Sequence, residues 1–163
     1  MTIAGCNRRF ETDNLSLFES NKQDPALSGD GRILAVIREK RGKTSIQLQN
    51  LANGIVLPIP QLNRDQPHSS PSLTWNGRYL ALITQKRQRR LAIILDRISG
   101  RIHPLIIPGG LDPIRLSLAP DGRKIAIQVA DKGRWKVELL DLSAVLEADL
   151  PSGLAFKTPQ LKR

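Results

Sequence analysis

One turn occurs three times in this chain at a nearly constant interval. It reads Leu27-Ser28-Gly29-Asp30-Gly31-Arg32, then Leu73-Thr74-Trp75-Asn76-Gly77-Arg78, then Leu118-Ala119-Pro120-Asp121-Gly122-Arg123. The glycines Gly31, Gly77 and Gly122 lie 46 and then 45 residues apart. A fixed period of that size marks a repeat architecture, in which each unit buries its apolar face by stacking on the next. Each turn runs into a short apolar stretch: Ile33-Leu34-Ala35-Val36-Ile37, Tyr79-Leu80-Ala81-Leu82-Ile83 and Ile125-Ala126-Ile127-Gln128-Val129. An Asp-Gly type of turn followed by a β-rich run is a hairpin signal.

In the first two copies a second turn follows at the same offset, Asn53-Gly54 and Ser99-Gly100, each 23 residues after the first glycine. Another strand candidate lies between the two turns: Thr44 to Gln49, Leu91 to Leu95, and Trp135 to Leu142 in the third copy. Pro58 and Pro104 then fall at matching places in a fourth stretch. Proline removes a ladder donor, so this last strand is expected at an edge. Each unit reads as a four-stranded antiparallel blade. The fold class is all-β, a partial β-propeller of three four-stranded blades. The apolar runs agree: Ile33, Ala35 and Ile37 fall on one strand face and Leu34 and Val36 on the other. A strand apolar on both faces needs cover on both sides, which stacked blades provide. A plain β-sandwich would also bury such strands but does not account for the period.

The third copy is degenerate at its end. Val145 stands where Gly54 and Gly100 would recur, inside Ser143-Ala144-Val145-Leu146-Glu147-Ala148. Either a short helical turn or a repeat without its outer strand fits, and terminal repeats are often atypical. The expected divisions are a tether at 1–24, repeats at about 25–66, 67–110 and 111–150, and a flexible basic tail at 151–163.

The turn and its strand resemble the propeller repeat of TolB-like proteins: a hydrophobic residue, Ser or Ala, Pro, Asp, Gly, a basic residue, then an apolar strand. Leu118-Ala119-Pro120-Asp121-Gly122-Arg123 matches it best; the first copy has Gly29 for the proline and the second has Trp75-Asn76 for Pro-Asp. The resemblance implies a stacked-blade fold and a protein-binding scaffold role in the bacterial envelope. TolB-like proteins carry six blades and an amino-terminal domain, whereas three repeats are visible here. Asp30, Asn76 and Asp121 are expected to cap tight turns, with Gly31, Gly77 and Gly122 at the positive-φ position.

The chain of 163 residues carries a formal charge of +10. Such an excess favours anionic partners: nucleic acid, lipid headgroups, an anionic polymer or an acidic protein face, and the resemblance implies an envelope protein as the partner. The charge collects in three equivalent loops between the second and third strands of each repeat. Arg38, Lys40, Arg41 and Lys43 lie in the first, Lys86, Arg87, Arg89 and Arg90 in the second, Lys132, Arg134 and Lys136 in the third. Equivalent loops of stacked blades emerge on one side, opposite the Asp-Gly turns, which predicts a basic, partner-binding face. Solubility alone would also place charge on hairpin tips. Nucleic acid is the second choice, because aromatic residues for base stacking are few. Trp135 is expected to pack in the core and Trp75 to be the more exposed tryptophan.

A single cysteine excludes an intrachain disulfide and a cysteine-rich metal site. Its setting, Ile3-Ala4-Gly5-Cys6, resembles the bacterial lipoprotein processing box, which would make Cys6 a lipidation site and a membrane anchor. A signal needs an apolar stretch of about 7–15 residues before the cleavage point, and five residues precede Cys6. Either the true start lies upstream or the match is chance. The corresponding locations are the periplasmic face of the envelope and the cytoplasm.

No cofactor, metal or catalytic residue is expected. His68 reads as a loop residue and His103 as part of an outer strand, without ligand spacing between them. Neither a nucleophile elbow nor a phosphate loop occurs. The chain therefore reads as a non-enzymatic binding or scaffold module; a soluble nucleic-acid-binding propeller and a fragment of a propeller-containing hydrolase are the alternatives. Three blades leave two open sides. A monomer capped by Leu15-Ser16-Leu17-Phe18 on one side and Val145-Leu146 on the other is preferred over a homodimer that closes a ring.

Overall fold

The computed structural model describes residues 21–62 and 65–154. Within them, eleven strands form three antiparallel sheets. The first blade runs β1 (Asn21–Leu27), β2 (Ile33–Lys40), β3 (Lys43–Asn50) and β4 (Val56–Leu57), in spatial order. The second repeats this with β5 (His68–Leu73), β6 (Tyr79–Lys86), β7 (Arg89–Asp96) and β8 (Ile102–Pro104). The third has β9 (Asp112–Leu118), β10 (Lys124–Asp131) and β11 (Arg134–Asp141), ordered β11-β10-β9. No α-helix occurs among the described residues, and none of their helices is long and apolar enough to cross a membrane.

One boundary differs from the sequence reading: residues 21–24, placed with the tether, already belong to β1. The third blade stops at three strands among the described residues, the repeat without its outer strand that the sequence allows. Gly54 and Gly100 take φ of 71° and 73° and turn the chain back into β4 and β8. Val145 cannot do so cheaply, since a β-branched residue is strongly disfavoured at positive φ. Instead the Val145 and Leu146 amides both donate to the Leu142 carbonyl at 2.9 Å, and the chain curls away from β11.

Blades are held by apolar faces pressed together. Ala35, Ile37, Ile46 and Leu48 of the first blade pack on Leu73, Leu80, Leu82, Ile93 and Leu95 of the second. On its other side the second blade sets Tyr79, Ala81, Ala92 and Ile94 against Leu118, Ile125, Ile127 and Val129 of the third. Every residue from Tyr79 through Thr84 is buried, so β6 is covered on both faces. Burying a Leu or Ile side chain contributes about 1.5–3 kcal/mol, which makes these two junctions the main stabilising feature.

The Asp-Gly turns gather at one end, bonded to one another. The Asp30 amide donates to the Trp75 carbonyl at 3.0 Å, and the Trp75 amide donates to the Pro120 carbonyl at 2.7 Å. Asp30 and Asp121 cap their own turns, accepting the Arg32 and Arg123 amides at 3.0 and 2.9 Å. Asn76 does not. In the second turn the buried carboxylate of Asp149 takes that role, accepting from the Asn76 and Arg78 amides at 2.8 and 3.3 Å and from the Thr74 hydroxyl at 2.6 Å. The Asn76 side chain donates to Asp149 and to the Leu150 carbonyl, fastening the last described segment to the second blade.

The two departures from the Pro-Asp-Gly pattern are one packing solution. Trp75 lies over Gly29, where an added Cβ would stand 2.6 Å from the indole Cε3. The ring fills the space that a side chain at position 29 would otherwise occupy, so Trp75 is half-buried rather than the exposed tryptophan. Gly29→Ala should therefore lower stability by about 1–3 kcal/mol through overpacking. In a Trp75→Ala background the same change should cost less, with a coupling above about 0.5 kcal/mol. Denaturant melts of the four proteins measure this, and equal costs in both backgrounds would refute the packing account.

Candidate anion-binding face

The second and third strands of every blade are joined by the shortest common hairpin. Register pairs Lys40 with Lys43, Lys86 with Arg89 and Asp131 with Arg134. The two-residue tips are therefore Arg41-Gly42, Arg87-Gln88 and Lys132-Gly133. Their φ values are 53° and 74°, 48° and 65°, and 47° and 77°. Two successive positive φ angles define the type I′ turn, whose twist matches that of the flanking strands. Asn or Gly is the low-strain choice for its first position. Here all three turns place a cation there, at a backbone cost of about 1–2 kcal/mol each.

The hairpins end the same strands that begin at the Asp-Gly turns, so the cationic tips share the opposite end. Lys40, Arg41, Lys43, Lys86, Arg87, Arg89, Arg90, Lys132, Arg134 and Lys136 are exposed, and Arg38 is half-buried. Some are engaged locally. Lys43 lies 3.3 Å from an Asp65 oxygen, Lys136 pairs with Asp131, and Arg38 donates to the Gln47 side chain at 2.8 Å. The Asp131 carboxylate holds the Lys136 amine above its ordinary pKa. Arg41, Arg87 and Lys132 at the tips carry no ion pair among the described residues. They are the charges presented outward in every blade.

Trp135 is a correction. It was expected in the core, as the first residue of an apolar strand, but it is 67% exposed beside the third tip. Register sets it opposite Ala130 on the face of the third blade turned away from the second. His68 is a second. It opens β5 as a buried residue, and its Nδ1 accepts the Ile46 amide at 3.2 Å, joining the first two blades. His103 lies on β8, as the sequence reading has it. Among the described residues no group of three His, Cys, Asp or Glu could hold a metal. Cys6 and Leu15 to Phe18 lie outside the described residues.

Sequence reasoning missed a polar cluster at the turn end. Arg78 makes a two-point contact with Asp96, at 3.3 and 3.1 Å, and reaches Glu147 at 2.8 Å. Its guanidinium carbon also stands 4.9 Å from the Tyr79 ring centre, a cation–π distance. Burial pushes the Asp96 carboxyl up, but Arg78 and the Ile98 and Ser99 donors outweigh it and hold the group below its ordinary range. A cavity of about 630 Å³ lies beside this cluster, lined in part by Asn76, Arg78, Arg97 and Asp149. The only available signal was Asp149 and Glu147 in a stretch without a repeat counterpart. The cluster's visible work is to clamp residues 147–150 onto the second blade.

No family model matches this chain, and no curated protein matches it. Solved structures do. The chain is similar to TolB from Acinetobacter baumannii, at 21% identity and a TM-score of 0.59, over 80% of this chain and 33% of that one. It is similar to a putative TolB from Agrobacterium tumefaciens, at 12% identity and a TM-score of 0.62, over 80% and 49%. The β-propeller domain of the Trilobed protease from Pyrococcus furiosus matches at 16% identity and a TM-score of 0.59, over 80% and 41%. The fold is thus that of a partial TolB-like β-propeller. The chain spans a third to a half of the length of these three solved proteins.

Burial lowers the pKa of His68 below 6.5. The unfolded chain then binds a proton that the folded chain refuses. The folded state is unaffected above that value and loses stability as pH falls through 6.5 towards the depressed pKa. Protonation also removes the acceptor of the Ile46 amide. His68→Asn should flatten the fall in stability just below that pH, and denaturant melts across the range would show an unchanged slope if His68 is not the group responsible.

Proposed function

We propose that this chain is a non-enzymatic binding module of the bacterial cell envelope, a partial propeller that presents one row of cationic hairpin tips to an anionic polymer or an acidic protein face. The observation that carries the reading is the identity of the three tips. In each blade a cation occupies a left-handed position where Asn or Gly would fold more cheaply. Backbone strain kept at equivalent places is a mark of function more than of solubility. The net charge of +10 supplies the long-range attraction. The TolB-like resemblance supports an envelope location, with Cys6 as the anchor.

The substitution Arg41→Asn/Arg87→Asn/Lys132→Asn separates function from folding, because Asn tolerates the left-handed conformation better than Arg or Lys. The triple variant should melt at the same or a higher temperature than the natural chain. Its binding to a sulfated polysaccharide should weaken, and the slope of log affinity against log salt should fall by about 2–3. Arg32→Asn/Arg101→Asn/Lys124→Asn removes the same charge elsewhere. Equal losses from the two sets would mean that net charge, without a located face, governs binding.

A second reading rests on Trp135. An exposed indole beside Arg134 is the pairing on which single-stranded nucleic acid stacks. Trp135→Ala should leave polysaccharide binding intact; a selective loss of oligonucleotide binding would favour this reading instead. Anchoring is tested separately. A gene extended upstream to encode an apolar leader, expressed with labelled fatty acid, should label the natural chain and not Cys6→Ser. Label that persists in the variant would remove Cys6 from the proposal.

A further inference from the structure

The middle blade carries a charge where the other two carry a leucine. One backbone bond fixes the residue that follows the third strand of every blade. The Leu51 amide donates to the Arg32 carbonyl at 2.8 Å, the Arg97 amide to Arg78 at 2.9 Å and the Leu142 amide to Arg123 at 2.7 Å. Leu142 is buried in the core and Leu51 is half-buried. Arg97 stands half-buried at the same place. A cation there gives up water that a leucine never held.

No charge among the described residues offsets that loss. Arg97 Nη1 donates to the Gly77 carbonyl at 2.6 Å, and the side chain forms no ion pair there. Burial lowers its pKa, whereas Asp96 and Glu147 hold the neighbouring Arg78 above its ordinary value. Nε and Nη2 of Arg97 have no acceptor among the described residues. No fully buried side-chain nitrogen in that set lacks a partner, so both atoms are open to solvent. The open space that Arg97 lines is the cavity of about 630 Å³ beside the Arg78 cluster.

The clamp builds a wall of this cavity. Residues 148–154 line it, held to the second blade through Asp149 and Asn76. Leu150, Pro151 and Leu154 come from that wall and Ile98 from the blade, with Ile98 and Leu154 76% and 64% exposed. The nearby acids are already engaged. Asp149 accepts from Thr74, Asn76 and Arg78, while Asp96 and Glu147 pair with Arg78. Their three negative charges outnumber the one of Arg78, so a dianion such as phosphate would be repelled. A carboxylate brings one charge to one guanidinium and matches the shape of its fork.

We propose that this cavity binds a carboxylate joined to an apolar group, the carboxylate on the unspent N–H groups of Arg97 and the apolar group against Ile98, Leu150 and Leu154. A small apolar acid and the carboxyl end of a peptide present the same chemistry. The site lies at the turn end, away from the cationic tips, and does not depend on what those tips bind.

Calorimetric titration of the whole chain at physiological salt is the test, with N-acetylleucine, its amide, hexanoate and an acetylated tripeptide ending in leucine as probes. N-acetylleucine should bind, and its amide at least about tenfold more weakly. Hexanoate equal to the tripeptide would identify a small acid as the source, and a tighter tripeptide would identify a chain end. Absence of saturable binding by all three carboxylates overturns the site, as does an amide that binds equally well. Arg97→Leu restores the residue of the other blades. It should abolish binding and melt at the same or a higher temperature. Arg101→Asn removes one exposed charge nearby and should change nothing; an equal loss from both variants would mean net charge alone. Should Arg97→Leu fail to fold, Ile98→Asp decides. That position is exposed, so the fold should survive, and a carboxylate that still binds beside the new charge refutes the proposal.

Discussion

The structure depends on the fact that β6 is apolar on both of its faces. A lone sheet offers such a strand one covered side at most. Leu80 and Leu82 face the first blade while Tyr79 and Ala81 face the third, so the middle blade is stable only as the filling between two others. Stacking in turn sets everything else. Equivalent turns must come to one end and equivalent hairpins to the other, because each blade repeats the same strand directions. The cationic tips share a side for this reason and need no further device.

At the turn end the repeats do more than coincide. Backbone bonds run from Asp30 to Trp75 and from Trp75 to Pro120, linking successive blades near the inner strands. The middle turn carries two irregularities, Trp75 and Asn76, and each is matched by a residue far away in sequence. Gly29 leaves room for the indole. Asp149 supplies the carboxylate that Asn76 lacks and turns a capping site into a clamp for the chain after β11. Arg78 reinforces the same clamp through Glu147 while staying engaged with Asp96. A departure from the repeat pattern thus marks a place where the chain does something that the other blades do not.

The two ends of the stack follow from the same logic. An open stack of blades leaves one face of each end blade without a neighbouring blade among the described residues. Here that face of the third blade is apolar at Val137 and Leu139, and Trp135 extends it towards the basic tips. The exposed apolar face and the cationic face meet at that corner of the molecule.

The period of the Asp-Gly turns, the two apolar strand faces and the prolines at the outer strands were all local features, and from them the sequence alone determined the stacked blades, their strand order and the shared side of the basic loops. Hairpin chemistry and strand alternation act over a few residues and can be read in one dimension. The tertiary structure decided what depends on partners distant in the chain. Trp75 is half-buried and Trp135 exposed, the reverse of their expected order, because one met the bare backbone of Gly29 while the other fell on a face that no further blade covers among the described residues. His68 became a buried acceptor for Ile46 of the neighbouring blade. Asp149, unremarkable in a stretch without a repeat counterpart, became the cap of a turn more than seventy residues away. Such contacts have no period and no local signature. Each exists only because stacking brings two blades to within hydrogen-bonding or packing distance.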